Sequence, residues 1–162
     1  DTIVGLSCDA TNASAIERIA KLKQRPVEKS FIVLMASITM LEAYVEDIPE
    51  AAYQLLEASD NPVTIVYPSV RNLPEALKAK DGSLGIRVVQ DGFTQRLIQR
   101  FRRPIVSTSA NISGAPAPAT RREVENEILD TVDHVIPVDG AGNKASSIIQ
   151  FQPDHSFKIL RK

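Results

Sequence analysis

With 162 residues, 43% of them hydrophobic, the chain can bury one sizeable core, and no shift in composition divides it. A formal net charge of -1 excludes bulk attraction to nucleic acid, so any anion site must come from local clustering of basic side chains. A single cysteine excludes an internal disulfide, and the lack of an apolar run of membrane length or a signal-peptide pattern points to the cytoplasm and away from any membrane. The two histidines, His134 and His155, have no Cys or carboxylate at ligand spacing, so no protein-borne metal site is expected. One domain over 1–162 is expected. Its opening, Asp1 to Leu6, reads as the end of a strand, which places further residues upstream of Asp1.

In chain order, Asn12 is positioned to cap a helix whose inner stripe is Ile16, Ile19, Ala20 and Lys23. Pro26 limits that helix, leaving Lys23, Arg25 and Lys29 at its exit, either as solvated cations favoured by the helix dipole or as a clamp for polyphosphate. Phe31 to Ala36 is a continuous apolar run, hence a strand covered on both faces. Helices follow over Thr39–Val45 and Pro49–Ala58, the second with Ala52, Leu55 and Leu56 inward, and then a strand over Val63–Tyr67. Leu73–Lys80 reads as a short helix and Asp81-Gly82 as a turn.

Ser83 to Val89 is a strand with Arg87 in its middle; on a covered face that guanidinium must meet an internal carboxylate or a ligand anion. The helix over Asp91–Arg102 places Phe93, Leu97, Ile98 and Phe101 on its inner stripe. Arg96, Arg100, Arg102 and Arg103 form a basic outer rim, solvated or open to RNA.

Ile105 and Val106 begin a buried strand that breaks, without a charged residue, into Ser107, Thr108, Ser109, Asn111, Ser113 and Gly114. Uncharged donors beside small Ala110 suit a cradle for phosphate or carboxylate oxygens; a Ser/Thr-rich turn capping a helix is the other reading. Thr120 with Glu123 forms a capping box for a helix through Leu129. Strands are expected over Val132–Val138, Ser146–Phe151 and Phe157–Leu160, with a flexible Asp139–Asn143 loop that carries no P-loop pattern. The irregular alternation of strands and helices implies an α/β, α+β-like chain: a twisted mixed parallel and antiparallel sheet flanked by helices.

Four stretches in order, Asp1-Thr2-Ile3-Val4-Gly5-Leu6, Lys23-Gln24-Arg25-Pro26, Ser83-Leu84-Gly85-Ile86-Arg87 and Ser107 through Gly114, resemble the YrdC-type threonylcarbamoyl-AMP synthases in their short, single-domain form. The Lys-x-Arg and Ser-x-Asn pairs are far more specific together than apart. The resemblance implies the YrdC-like fold with a concave ligand cavity. It implies that L-threonine, bicarbonate and ATP are converted to threonylcarbamoyl-adenylate and pyrophosphate, with Mg2+ on the phosphates. The product then serves separate proteins that modify adenosine in tRNA, and direct tRNA contact is a further option.

By that likeness Arg25, Lys29, Ser83, Ser109, Ala117 through its backbone, and Arg161 match ATP-contacting positions. Thr2, Arg87, Ser107 and Ser146 match those holding threonine. Lys23, Arg25, Ser109 and Asn111 make up the catalytic set. The chain departs from its relatives at Val4, Leu34 and Ala145, where an aromatic, a histidine and a proline are common. Two rivals are a double-stranded RNA or tRNA-binding module without turnover, and a carbamoyl-adenylate enzyme like the YrdC-like domain of hydrogenase maturation proteins.

Overall fold

The computed structural model describes residues 4–24, 31–90, 92–136 and 146–161. Its strands are β1 (Gly5–Leu6), β2 (Ile32–Met35), β3 (Val63–Tyr67), β4 (Leu84–Val88), β5 (Ile105–Ser109), β6 (Ser147–Phe151) and β7 (Phe157–Arg161). Among the described residues they form one open sheet in the order β1-β5-β2-β4-β3-β6-β7. Pairing is parallel for β2 with β4 and β3 with β6, and antiparallel elsewhere, so the expected mixed sheet is present.

The helices are α1 (Ala13–Leu22), α2 (Ile38–Glu42), α3 (Glu50–Ala58), α4 (Gly92–Phe101) and α5 (Asn126–Thr131). Asn12 caps α1 by accepting from the Ala15 N–H, and Ser37 caps α2 by accepting from Met40. Beyond α1, Gln24 takes a left-handed φ of 47°, which ends the helix.

Because successive strand side chains alternate, the registers sort each strand into two sets. Val33, Ile65, Ile86, Val106 and Ile149 point to one face, where they pack with Ile16 and Ile19 of α1, Leu41 of α2, Leu56 of α3 and Ile128 of α5. That face is the main core. The other face carries Leu34, paired with Arg87 on one side and Ile105 on the other, and α4 packs on it through Ile98, which joins Leu34, Val89 and Ile105, with Met40 of α2 at the margin.

Four expectations change. Leu73–Lys80 contains only a 3-10 turn at Glu75–Leu77, flanked by extended Pro74 and Lys78. The helix expected from Thr120 splits into a 3-10 turn, Arg121–Glu123, and α5, because Val124 is extended and buried in the core. Glu123 still reaches back, accepting from the Ala119 N–H and the Thr120 hydroxyl. Residues 132–136 form no strand, and Asp139–Asn143 lies outside the described residues. On α4 only Ile98 is buried: Phe93, Leu97 and Phe101 are 48%, 38% and 44% exposed, since the helix meets the sheet along one flank.

Candidate active site

The face opposite the main core collects the polar side chains. Ser107 pairs with Ile32 and Arg87 with Leu34, while Gly5 opposes Ser109 at the sheet edge. Alternation therefore sets Ser107 and Ser109 of β5 on the same face as Arg87 of β4, with Ser83 just ahead of it. Across the sheet, Gly85 opposes Val66 and Thr64 opposes Ile148, which carries the same face through β3 to Ser146 at the start of β6 and to Arg161 of β7, the partner of Ile148. The expected serines and arginines thus converge from four strands onto one surface.

At one end of this surface, Lys23 fastens α1 to the turn after β5. The side chain is buried, 1% exposed, and its ammonium donates to the carbonyls of Ser109 and Asn111, at 2.6 Å for Asn111. The Ser113 N–H donates back to the Lys23 carbonyl at 2.8 Å. Two carbonyl dipoles face the buried ammonium, so the turn is held directly over it. Asn111 knits the same turn by donating from Nδ2 to the carbonyls of Ile112 and Ala115, at 2.9 and 2.7 Å. Its buried Oδ1 has no hydrogen-bond partner among the described residues. A buried acceptor left open in this way suits a ligand donor.

At the other end, Arg87 is 4% exposed. Burial, and after it the nearby charge of Arg161, bring the Arg87 guanidinium down to about 10. A buried guanidinium whose charge is further penalised by a neighbouring cation marks a place where an anion gains binding energy. Arg161 donates from Nε to the Ser146 carbonyl at 2.9 Å, and its Nη2 lies 3.5 Å from Ser146 Oγ. Ser146 Oγ is also 2.7 Å from Thr64 Oγ1, and both residues are buried. A depression of about 190 Å³ opens beside Arg87, bounded by Asp60, Asn61, Pro62 and Gln90.

Between the two ends, the Ser83 hydroxyl and N–H both donate to Asp81 Oδ1, at 2.6 and 3.0 Å. Those bonds, the side-chain one first, hold the Asp81 carboxyl below its ordinary range. Ala117 lies in the exposed segment after the turn. Thr2, Arg25 and Lys29 lie outside the described residues. Thr64 and Asp81 join the site without having been expected there. Thr64 carried one signal, a hydroxyl inside Val-Thr-Ile-Val-Tyr at a position that alternates away from Val63 and Ile65.

Among the described residues no group of three His, Cys, Asp or Glu side chains could hold a metal, and no helix is long and apolar enough to cross a membrane.

A family model described as Telomere recombination, for the Sua5, YciO and YrdC proteins, matches residues 1–162. The threonylcarbamoyl-AMP synthase of Photobacterium profundum is 32% identical over 145 residues, 88% of this chain and 78% of that protein. The structure of P. abyssi Sua5 complexed with L-threonine matches with a TM-score of 0.82 at 28% identity, over 93% of this chain and 45% of that one, so the present chain spans under half of that relative. E. coli YciO shares the fold, with a TM-score of 0.83 at 22% identity over 100% of this chain and 79% of that one.

Proposed function

The chain belongs to the Sua5/YciO/YrdC family, and from that premise we propose that it is a nucleotidyltransferase joining L-threonine, bicarbonate and ATP into threonylcarbamoyl-adenylate, with release of pyrophosphate. The observation that carries this reading is the surface just described, with a lysine-backed hydroxyl and amide turn at one end and a pair of guanidinium groups at the other. Both reactants are anions, and fixed positive charge at each end of one surface is what brings two anions together.

Threonine's amine adds to the carbon of bicarbonate, with loss of water, to give a carbamate. A carbamate oxygen then attacks the α-phosphorus of ATP in line, the bond to the β-phosphate oxygen breaks, and pyrophosphate leaves. Arg87, Ser107, Ser146 and Thr2 hold threonine, with the Arg87 fork on its carboxylate, a charge-assisted contact worth about 1.5 to 3 kcal/mol. Arg25, Lys29, Ser83, Ser109, Arg161 and the backbone of Ala117 hold ATP. The Ser109–Asn111 turn, charged from beneath by Lys23, faces the phosphates, and Asn111 Oδ1 accepts from a substrate donor.

Magnesium, where present, would enter with ATP and supply charge neutralisation on its phosphates; the acceptors available among the described residues fit a metal carried by its substrate better than one held by a protein cage. The product passes to separate proteins that transfer the threonylcarbamoyl group to tRNA in the cytoplasm, and the exposed Arg96 and Arg100 on α4 offer tRNA a basic contact.

The test is pyrophosphate release from ATP, measured with threonine and bicarbonate added singly and together, alongside the mass of the adenylate formed. Release is expected only when both are present. Equal release without threonine rules the reading out, and salt-sensitive tRNA binding without any turnover favours the RNA-binding alternative.

A further inference from the structure

We propose that Thr64, which contacts no substrate, is a positioning residue that makes Ser146 a dedicated hydrogen-bond donor for the threonine carboxylate; this rests on the synthase reading above. Thr64 sits at the centre of the sheet, fully buried, with its side chain on the polar face. Its two branches face different neighbours. The hydroxyl meets Ser146 Oγ at 2.7 Å, and the methyl packs toward Gly85, where an added Cβ would stand 3.3 Å from Thr64 Cγ2. A β-branched side chain held at both branches keeps one χ1 rotamer, so the hydroxyl position is fixed before any ligand arrives.

Ser146 Oγ has one hydrogen and two lone pairs. Arg161 can only donate, so its Nη2, 3.5 Å away, uses one lone pair. When Thr64 donates to the second lone pair, the single Ser146 hydrogen is left to project from the network toward the surface shared with Arg87. A carboxylate is an acceptor only, so a hydroxyl with both lone pairs engaged is the partner it needs. If Ser146 instead donated to Thr64, its hydrogen would be spent inside the protein and the carboxylate would meet a lone pair. Charge from the carboxylate and from Arg87 selects the first arrangement, and Thr64 makes it available.

The experiment compares Thr64→Val, which keeps the shape and removes the hydroxyl, with Thr64→Ser, which keeps the hydroxyl and removes the methyl. In steady-state assays of pyrophosphate release, Thr64→Val is expected to raise the KM for threonine by about threefold to tenfold, the scale of one net hydrogen bond. The KM for ATP and kcat stay within about twofold, and Thr64→Ser restores the threonine KM. In a Ser146→Ala background Thr64→Val causes no further rise, since the group it orients is gone. Thr64→Cys, a weak donor of serine's shape, is the second variant should valine not fold, with a threonine KM above those of wild type and Thr64→Ser expected and an unchanged one overturning the proposal.

An unchanged threonine KM in Thr64→Val, an equal loss in Thr64→Ser, or a matching rise in the KM for ATP overturns the proposal while leaving the synthase reading intact. Threonine-independent turnover by the wild-type protein overturns both.

Discussion

The two faces of the sheet are built from the same strands yet obey different rules. Within β4, Ile86 turns to the core and is packed among α1, α2, α3 and their neighbours, while the adjacent Arg87 turns to the polar surface beside Arg161. One face gains stability by excluding water from aliphatic groups. The other gathers buried cationic side chains and hydrogen-bonded hydroxyls, groups that are costly to take out of water. Changes one residue apart along a strand should therefore separate stability from substrate handling.

The largest departure is expected at Lys23, which serves both regions. Lys23→Met keeps the buried stem but removes the cation and strands the carbonyls of Ser109 and Asn111. Turnover should fall at least about a hundredfold, and the thermal midpoint should fall as well, because buried acceptors left without donors cost about 1 to 3 kcal/mol each. A variant that lost activity with an unchanged midpoint would show that Lys23 acts on substrate alone. Next comes Ile86→Ala, expected to lower unfolding free energy by about 2 to 5 kcal/mol in denaturant titrations, with the threonine KM within about twofold of wild type. A tenfold rise in KM there would mean that the faces are mechanically coupled.

The smallest effect belongs to Tyr67, on the core face. Its buried hydroxyl has no hydrogen-bond partner among the described residues, and burial, with the Tyr53 charge behind it, pushes its pKa upward. Tyr67→Phe should leave activity alone and change stability by no more than about 1 kcal/mol, in the stabilising direction, as read by calorimetry.

Much of this division was legible in the chain itself. The uninterrupted run before Ala36 announced a strand covered on both sides, and β2 is flanked by paired strands with Val33 in one cluster and Leu34 in the other. The spacing of Ser83 with Arg87 suits one face of a strand, whereas Ser107 to Ser109 read as the break after a strand and instead continue β5 to Ser109. Strand registers are set by contacts between distant segments, so no local signal could bring Ser146 beside Thr64 or Arg161 beside Arg87. The α4 stripe shows the limit from the other side: the period of Phe93, Leu97 and Phe101 is real, but a period says where apolar groups lie, not whether anything covers them. Thr120 and Glu123 made their capping contacts and still failed to start a full helix, because core burial of Val124 overrode the local preference.

Both polar clusters are closed by contacts between residues far apart along the chain, 86 positions for Lys23 with Ser109 and 82 for Thr64 with Ser146. Loop closures of that span are slow steps, and neither cluster can exist in a partly collapsed intermediate that has formed only hairpins and single helices. During refolding, recovery of catalysis should lag behind recovery of helical signal, and a ribosome-bound chain that stops before residue 146 would carry the β5 turn and Arg87 without Ser146 and Arg161 beside them.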